Sequence, residues 1–138
     1  MEENLRPSFG DIPKVKTPKK VLMEQAFFLE KNTSNLLKAE ITSGNTSSAT
    51  IKSVHNFVIR APFLGNYNLT LFRLSHDPVF IYPAELITTL KSQSFQIPDE
   101  GTLVKVLKSV FSDTSTLAAI SNLLIQSKAS AEDDDLTF

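Results

Sequence analysis

Between Thr50 and Leu90 the chain reads TIKSVHNFVIRAPFLGNYNLTLFRLSHDPVFIYPAELITTL, a succession of β-forming runs interrupted by Pro, Gly-Asn and Asp-Pro. Val, Ile, Phe, Tyr and Thr crowd these runs, and apolar residues fall on both of their faces, as in strands of a sheet buried on one side and partly covered on the other. The rest of the chain must then pack on that sheet or leave it.

Thr50 to Arg60 and Tyr67 to His76 are read as strands. APFLGN joins them as a wide turn or bulged corner, because it carries Pro62 and Gly65-Asn66. Asp77-Pro78 turns the chain into a third run, Val79 to Leu90. Residues 83–91 are compatible with a strand or with a helix opening at Pro83; the β-forming VFIY ahead favours strand, at an edge or a bulge. Upstream, Leu36 to Thr42 alternates Leu37, Ala39 and Ile41 with Lys38, Glu40 and Thr42, the pattern of a half-buried strand. Ser43 to Ala49 (SGNTSSA) is read as a polar connection with a left-handed turn at Gly44-Asn45. It is no phosphate loop, since no Gly-Lys-Ser/Thr follows. Ser94 to Ile97 supplies a short last strand.

Helices flank this block. Thr17 can cap and Pro18 can open a helix, and KKVLMEQAFFLEKN carries a stripe of Val21, Leu22, Phe28 and Leu29. Met23, Ala26 and Phe27 widen that stripe, so this helix is expected to be covered on more than one face. Asn32 to Asn35 ends it. Pro98-Asp99-Glu100 opens a second helix with acids in its first turn, and Ser112 to Ser115 breaks it and starts a third.

Composition sets the class. With 138 residues, 41% hydrophobic and 21% charged, the chain is long and apolar enough for one folded core. A net charge of −1 provides no field for nucleic acid, so no nucleic-acid partner is expected. The absence of cysteine excludes disulfides, thiolate zinc sites and thiol nucleophiles, and it accords with a cytoplasmic protein. Neither an apolar leader core nor a run of membrane-spanning length is found, so no membrane partner is expected. The domain is expected over residues 17–130, with a flexible arm at 1–16 and an acidic disordered tail at 131–138.

His55 and His76 are the two imidazoles. If Arg60 pairs with Tyr67 and His76 with Val79, His55 falls opposite Phe72, on a face with Phe57, Ile59, Leu74 and Ile81, where a packing role is expected. His76 and Asp77, at the Ser75 to Pro78 turn, form the candidate site of an alternative reading, a small hydrolase or ligand-binding enzyme using a His–carboxylate pair. Two histidines with scattered carboxylates have no metal-site spacing, and no cofactor is implied. The same register places Arg60, Tyr67, Arg73 and Tyr82 on the opposite face, with Val58, Leu69, Leu71, Phe80 and Leu86; Arg and Tyr among aliphatics mark an interface.

The order helix, strands, helix, helix predicts an α+β domain. An antiparallel sheet of four to five strands carries the N-terminal helix and two C-terminal helices on one face. Its expected role is that of a non-catalytic protein-interaction or homodimerising module that uses the uncovered sheet face.

Overall fold

The computed structural model describes residues 14–46 and 50–135, with backbone only for 133–135. It is the α+β arrangement expected: one helix, five antiparallel strands, then two helices. Helix α1 spans Pro18–Asn32. Its Thr17 cap accepts the Lys20 N–H at 3.1 Å, and Pro18 at the first position forfeits no bond. Thr17→Ala should lower the urea midpoint by the equivalent of about 1 kcal/mol at unchanged m-value, and Thr17→Ser should restore it.

Strands β1 (Lys38–Asn45), β2 (Ser53–Ala61), β3 (Tyr67–His76), β4 (Ala84–Thr88) and β5 (Ser94–Ile97) form a meander in the order β1-β2-β3-β4-β5. Helix α2 (Glu100–Ser112) starts at Asp99, whose carboxylate accepts the Thr102 N–H at 2.7 Å. Helix α3 (Thr114–Asp135) follows directly. Leu22, Leu37, Phe57, Ile59, Leu74, Leu86, Ile97 and Leu103 are fully enclosed between the sheet and the helices. At the centre Phe72 stacks on Phe57 at 5.1 Å, and Phe111 of α2 meets both rings edge-on at 5.5 and 6.1 Å.

Several local expectations are corrected. Arg60 pairs with Asn68 rather than Tyr67, and a bulge leaves Leu71 without a cross-strand partner on β2, so His55 faces Leu74 rather than Phe72. Leu71 is buried at the bulge, which is how one extra residue enters a strand whose alternation looks regular. His76 pairs with Ala84 rather than Val79. The Asp77 carboxylate accepts the N–H groups of Val79 (2.8 Å) and Phe80 (3.1 Å), and this turn takes residues 77–83 out of the sheet, with Tyr82-Pro83 cis. Val79 and Phe80 are consequently exposed despite their β propensity. Of residues 83–91, Ala84–Thr88 is strand.

Gly44-Asn45 is no left-handed turn: both belong to β1, opposite Val54 and Ser53, because Ser53 bonds Asn45 across the strands. Left-handed backbone occurs instead at Ser34, Asn35 and Ser92 and at Gly65-Asn66, the last pair after a 3₁₀ turn over Pro62–Leu64, where the β2–β3 link demands φ > 0. Residues 47–49 of the polar connection lie outside the described residues. So do residues 1–13 of the arm; residues 14–16 are exposed, and the Lys16 N–H donates to a Glu100 carboxylate oxygen at 2.8 Å. Helix α3 runs through 131–135 of the segment read as a disordered tail, since Ala129, Ala131 and Glu132 are good helix formers; 136–138 lie outside the described residues. No helix among the described residues is long and apolar enough to cross a membrane.

Candidate functional site

Two arrangements stand out, one on each side of α1. The first is a chain of hydrogen bonds on the helix-covered face. Ser43 of β1 and His55 of β2 are cross-strand partners, and the Ser43 Oγ lies 2.8 Å from His55 Nδ1. His55 Nε2 meets His76 Nε2 at 2.9 Å, and His76 Nδ1 lies 2.7 Å from the Asp77 carbonyl oxygen. Ser43 is exposed, while both imidazoles are buried.

A carbonyl only accepts, so His76 Nδ1 carries a proton and, in the neutral pair, His76 Nε2 is an acceptor. His55 must then donate from Nε2, and its Nδ1 accepts the Ser43 hydroxyl proton. Every member of the chain thereby has one defined role. Burial first, then the charges of His76 and Lys19, push His55 down to about 4, so it is neutral at neutral pH. The ring centroids are 5.0 Å apart with the nitrogens at 2.9 Å, so the imidazoles meet nearly head to head. Their lone pairs share one hydrogen rather than converge on a third point, and no group of three metal-ligating side chains occurs among the described residues.

The His76–Asp77 pair read from the sequence meets through the Asp77 carbonyl. The Asp77 carboxylate is occupied by Phe80 and Val79 N–H groups, which hold it below the usual carboxylate range. Of Arg60, Tyr67, Arg73 and Tyr82, the structure brings only the two arginines onto the uncovered face. Arg60 pairs with Glu40 at 2.6 Å, and Arg73 Nε donates to Asn56, which in turn donates to Thr42. Tyr67 stands opposite Ala61 at the end of β3 and is exposed. Tyr82 packs against the core on the helix side, and its hydroxyl donates to the Lys16 carbonyl at 3.2 Å. Burial, then the charges of Glu100 and Asp99, push that phenol up to about 12. Leu69, Leu71 and Leu86, also read onto the uncovered face, belong to the core or pack on it. What remains outside is a polar ladder in which Val54, Val58 and Ile87 are the apolar members.

The second arrangement lies in the helix layer. A cleft of about 440 Å³ opens between α1 and the α2–α3 pair, lined by Val21, Phe28 and Leu29 on one wall and Val104, Leu107, Phe111 and Ile120 on the other. Beside it Phe27 and Phe28 touch edge-on at 5.9 Å and are 61% and 50% exposed, with Met23 exposed next to them. Its signal was the over-wide apolar stripe of α1: the second face exists and is left open. The histidine pair had no such signal, because the bulge at Leu71 sets its register.

No family model matches the chain, and neither a curated protein nor a solved structure does.

Proposed function

We propose that the protein is a self-associating interaction module whose second copy docks on the helix layer, at the cleft between α1 and α2–α3. The observation that carries this reading is the adjacency of knob and hole on one surface: the exposed Phe27, with Met23, stands beside the cleft that its neighbour Phe28 lines. A two-fold interface requires self-complementarity of one patch, which a knob next to a hole provides. Exposed aromatics are the residues that dominate such contacts, and a net charge of −1 opposes the approach of a second copy only weakly. The uncovered sheet face supports the role less well, since both of its arginines, Arg60 and Arg73, already have partners within the chain.

Sedimentation equilibrium tests the proposal. The wild-type chain should be dimeric at about 10 µM, and Phe28→Asp should raise the dissociation constant about 100-fold or more, because each substitution acts twice across the two-fold. A wild-type chain that stays monomeric at about 100 µM would refute self-association.

A further inference from the structure

Self-association makes no use of the Ser43–His55–His76 chain. Ala39, Ile41 and Ser43 alternate along β1 and therefore lie on one face, the face that α1 covers. Between α1 and this row runs a groove of about 360 Å³ lined by Lys19, Met23, Ala26, Ala39 and Ile41, among others. Ser43 follows Ile41 in the row and is exposed.

We propose that Ser43 is the nucleophile of an acyl-transfer reaction on activated esters, with His55 as its general base, His76 as the residue that positions His55, and the α1–β1 groove as the seat of an apolar acyl chain. The tautomer chain presents the His55 Nδ1 lone pair to the Ser43 hydroxyl, the nucleophile–base–orienting order that hydrolytic serines use. Here an imidazole anchored to the Asp77 carbonyl takes the orienting place of a carboxylate.

The backbone supplies a donor as well. Thr46 N–H donates to the Lys52 carbonyl at 2.9 Å, and alternation from there makes Ser43 and His55 a non-hydrogen-bonded pair. Such a pair brings its side chains close and turns the Ser43 N–H outward from β1, the first strand in the sheet order. That N–H is aimed where an oxyanion held at the edge would lie.

In the reaction Ser43 Oγ attacks the ester carbonyl carbon, its proton passes to His55 Nδ1, and the carbonyl electron pair moves onto oxygen. The intermediate collapses with cleavage of the bond to the leaving oxygen, which takes the proton from His55 Nδ1. Alcohol and acyl-Ser43 result. Water then attacks the acyl carbon and gives its proton to His55 Nδ1; Ser43 Oγ leaves, recovers that proton, and the carboxylic acid departs. His55 is a weak base and activates the Ser43 hydroxyl only modestly, which restricts the reaction to activated acyl groups, hence esters of acidic alcohols rather than amides.

The test follows nitrophenolate release from p-nitrophenyl hexanoate by the full chain and locates the hexanoyl group by peptide mass spectrometry. Release at least about 10-fold above that of Ser43→Ala is expected, with the acyl group on Ser43. His76→Gln, whose amide oxygen can accept the His55 Nε2–H, should keep at least about half the rate, whereas His76→Leu should lose it. Release unchanged in Ser43→Ala, or hexanoyl groups found on lysines alone, would overturn the proposal. Ser43 is exposed, so Ser43→Ala retains the fold and decides the question even where a histidine variant does not fold.

Discussion

Acidification from pH 7 to pH 4 is expected to cost the fold roughly 3 kcal/mol through His55 alone. An unfolded histidine titrates near 6.5, whereas burial, His76 and Lys19 hold His55 at about 4 in the fold. Between these values the unfolded chain binds a proton that the folded chain refuses. The contribution is therefore complete above pH 6.5, falls through the window and is gone below about pH 4. Geometry gives the same sign. A proton on both facing Nε2 atoms would set one N–H against another at 2.9 Å. The carboxylates of Asp77, Asp99 and Asp113 are each held below 3.8 by hydrogen bonds, so most of their loss falls beneath this window. Urea unfolding at pH 7 and 4.5 measures the effect: the midpoint should drop sharply in the wild type and much less in His55→Gln. Equal wild-type midpoints would show that His55 titrates normally.

Phe72→Ala is expected to destabilise the domain by about 3–5 kcal/mol. Its ring is fully buried, stacked on Phe57 and met edge-on by Phe111, so its removal opens a cavity walled by two rings from different layers. Against a typical total of about 5–15 kcal/mol, such a loss brings the variant close to unfolding. Phe80→Ala is the matched control: Phe80 is 67% exposed, and its loss should stay within about 0.5 kcal/mol. Comparable urea midpoints for the two variants would mean that the Phe57–Phe72–Phe111 cluster does not hold sheet to helices.

What the sequence made legible were elements whose boundary chemistry is local. Thr17-Pro18 announces α1, Asp99 announces α2, and Tyr67 to His76 carries enough β-formers to be read at its full length. Non-local features stayed hidden. The bulge at Leu71 disturbs no pattern, yet it changes every pairing from Phe57 back to Ser53. VFIY looks like strand, but one Asp77 carboxylate accepting two N–H groups outweighs its propensity. A tight His76–Val79 hairpin would put Tyr82 on the face of Arg73; the loop over 77–83 carries it to the helix side. The same register error separated His55 from His76, whose contact spans 21 residues of sequence. The open cleft was half legible: the width of the α1 stripe showed that a second face existed, but not that the chain would leave it bare.

The strand order has a kinetic corollary. Each strand pairs only with its neighbours in sequence, so the sheet can assemble hairpin by hairpin, and each step closes a short loop. Contacts that close long loops lie instead in the helix layer, where Phe111 of α2 meets Phe57, and at the segment ahead of α1. There Lys16 meets Glu100 across 84 positions and Tyr82 across 66. The first bond joins the beginning of the described chain to the start of α2 and the second joins it to the loop over 77–83, and their making or breaking leaves the strand order of the meander untouched.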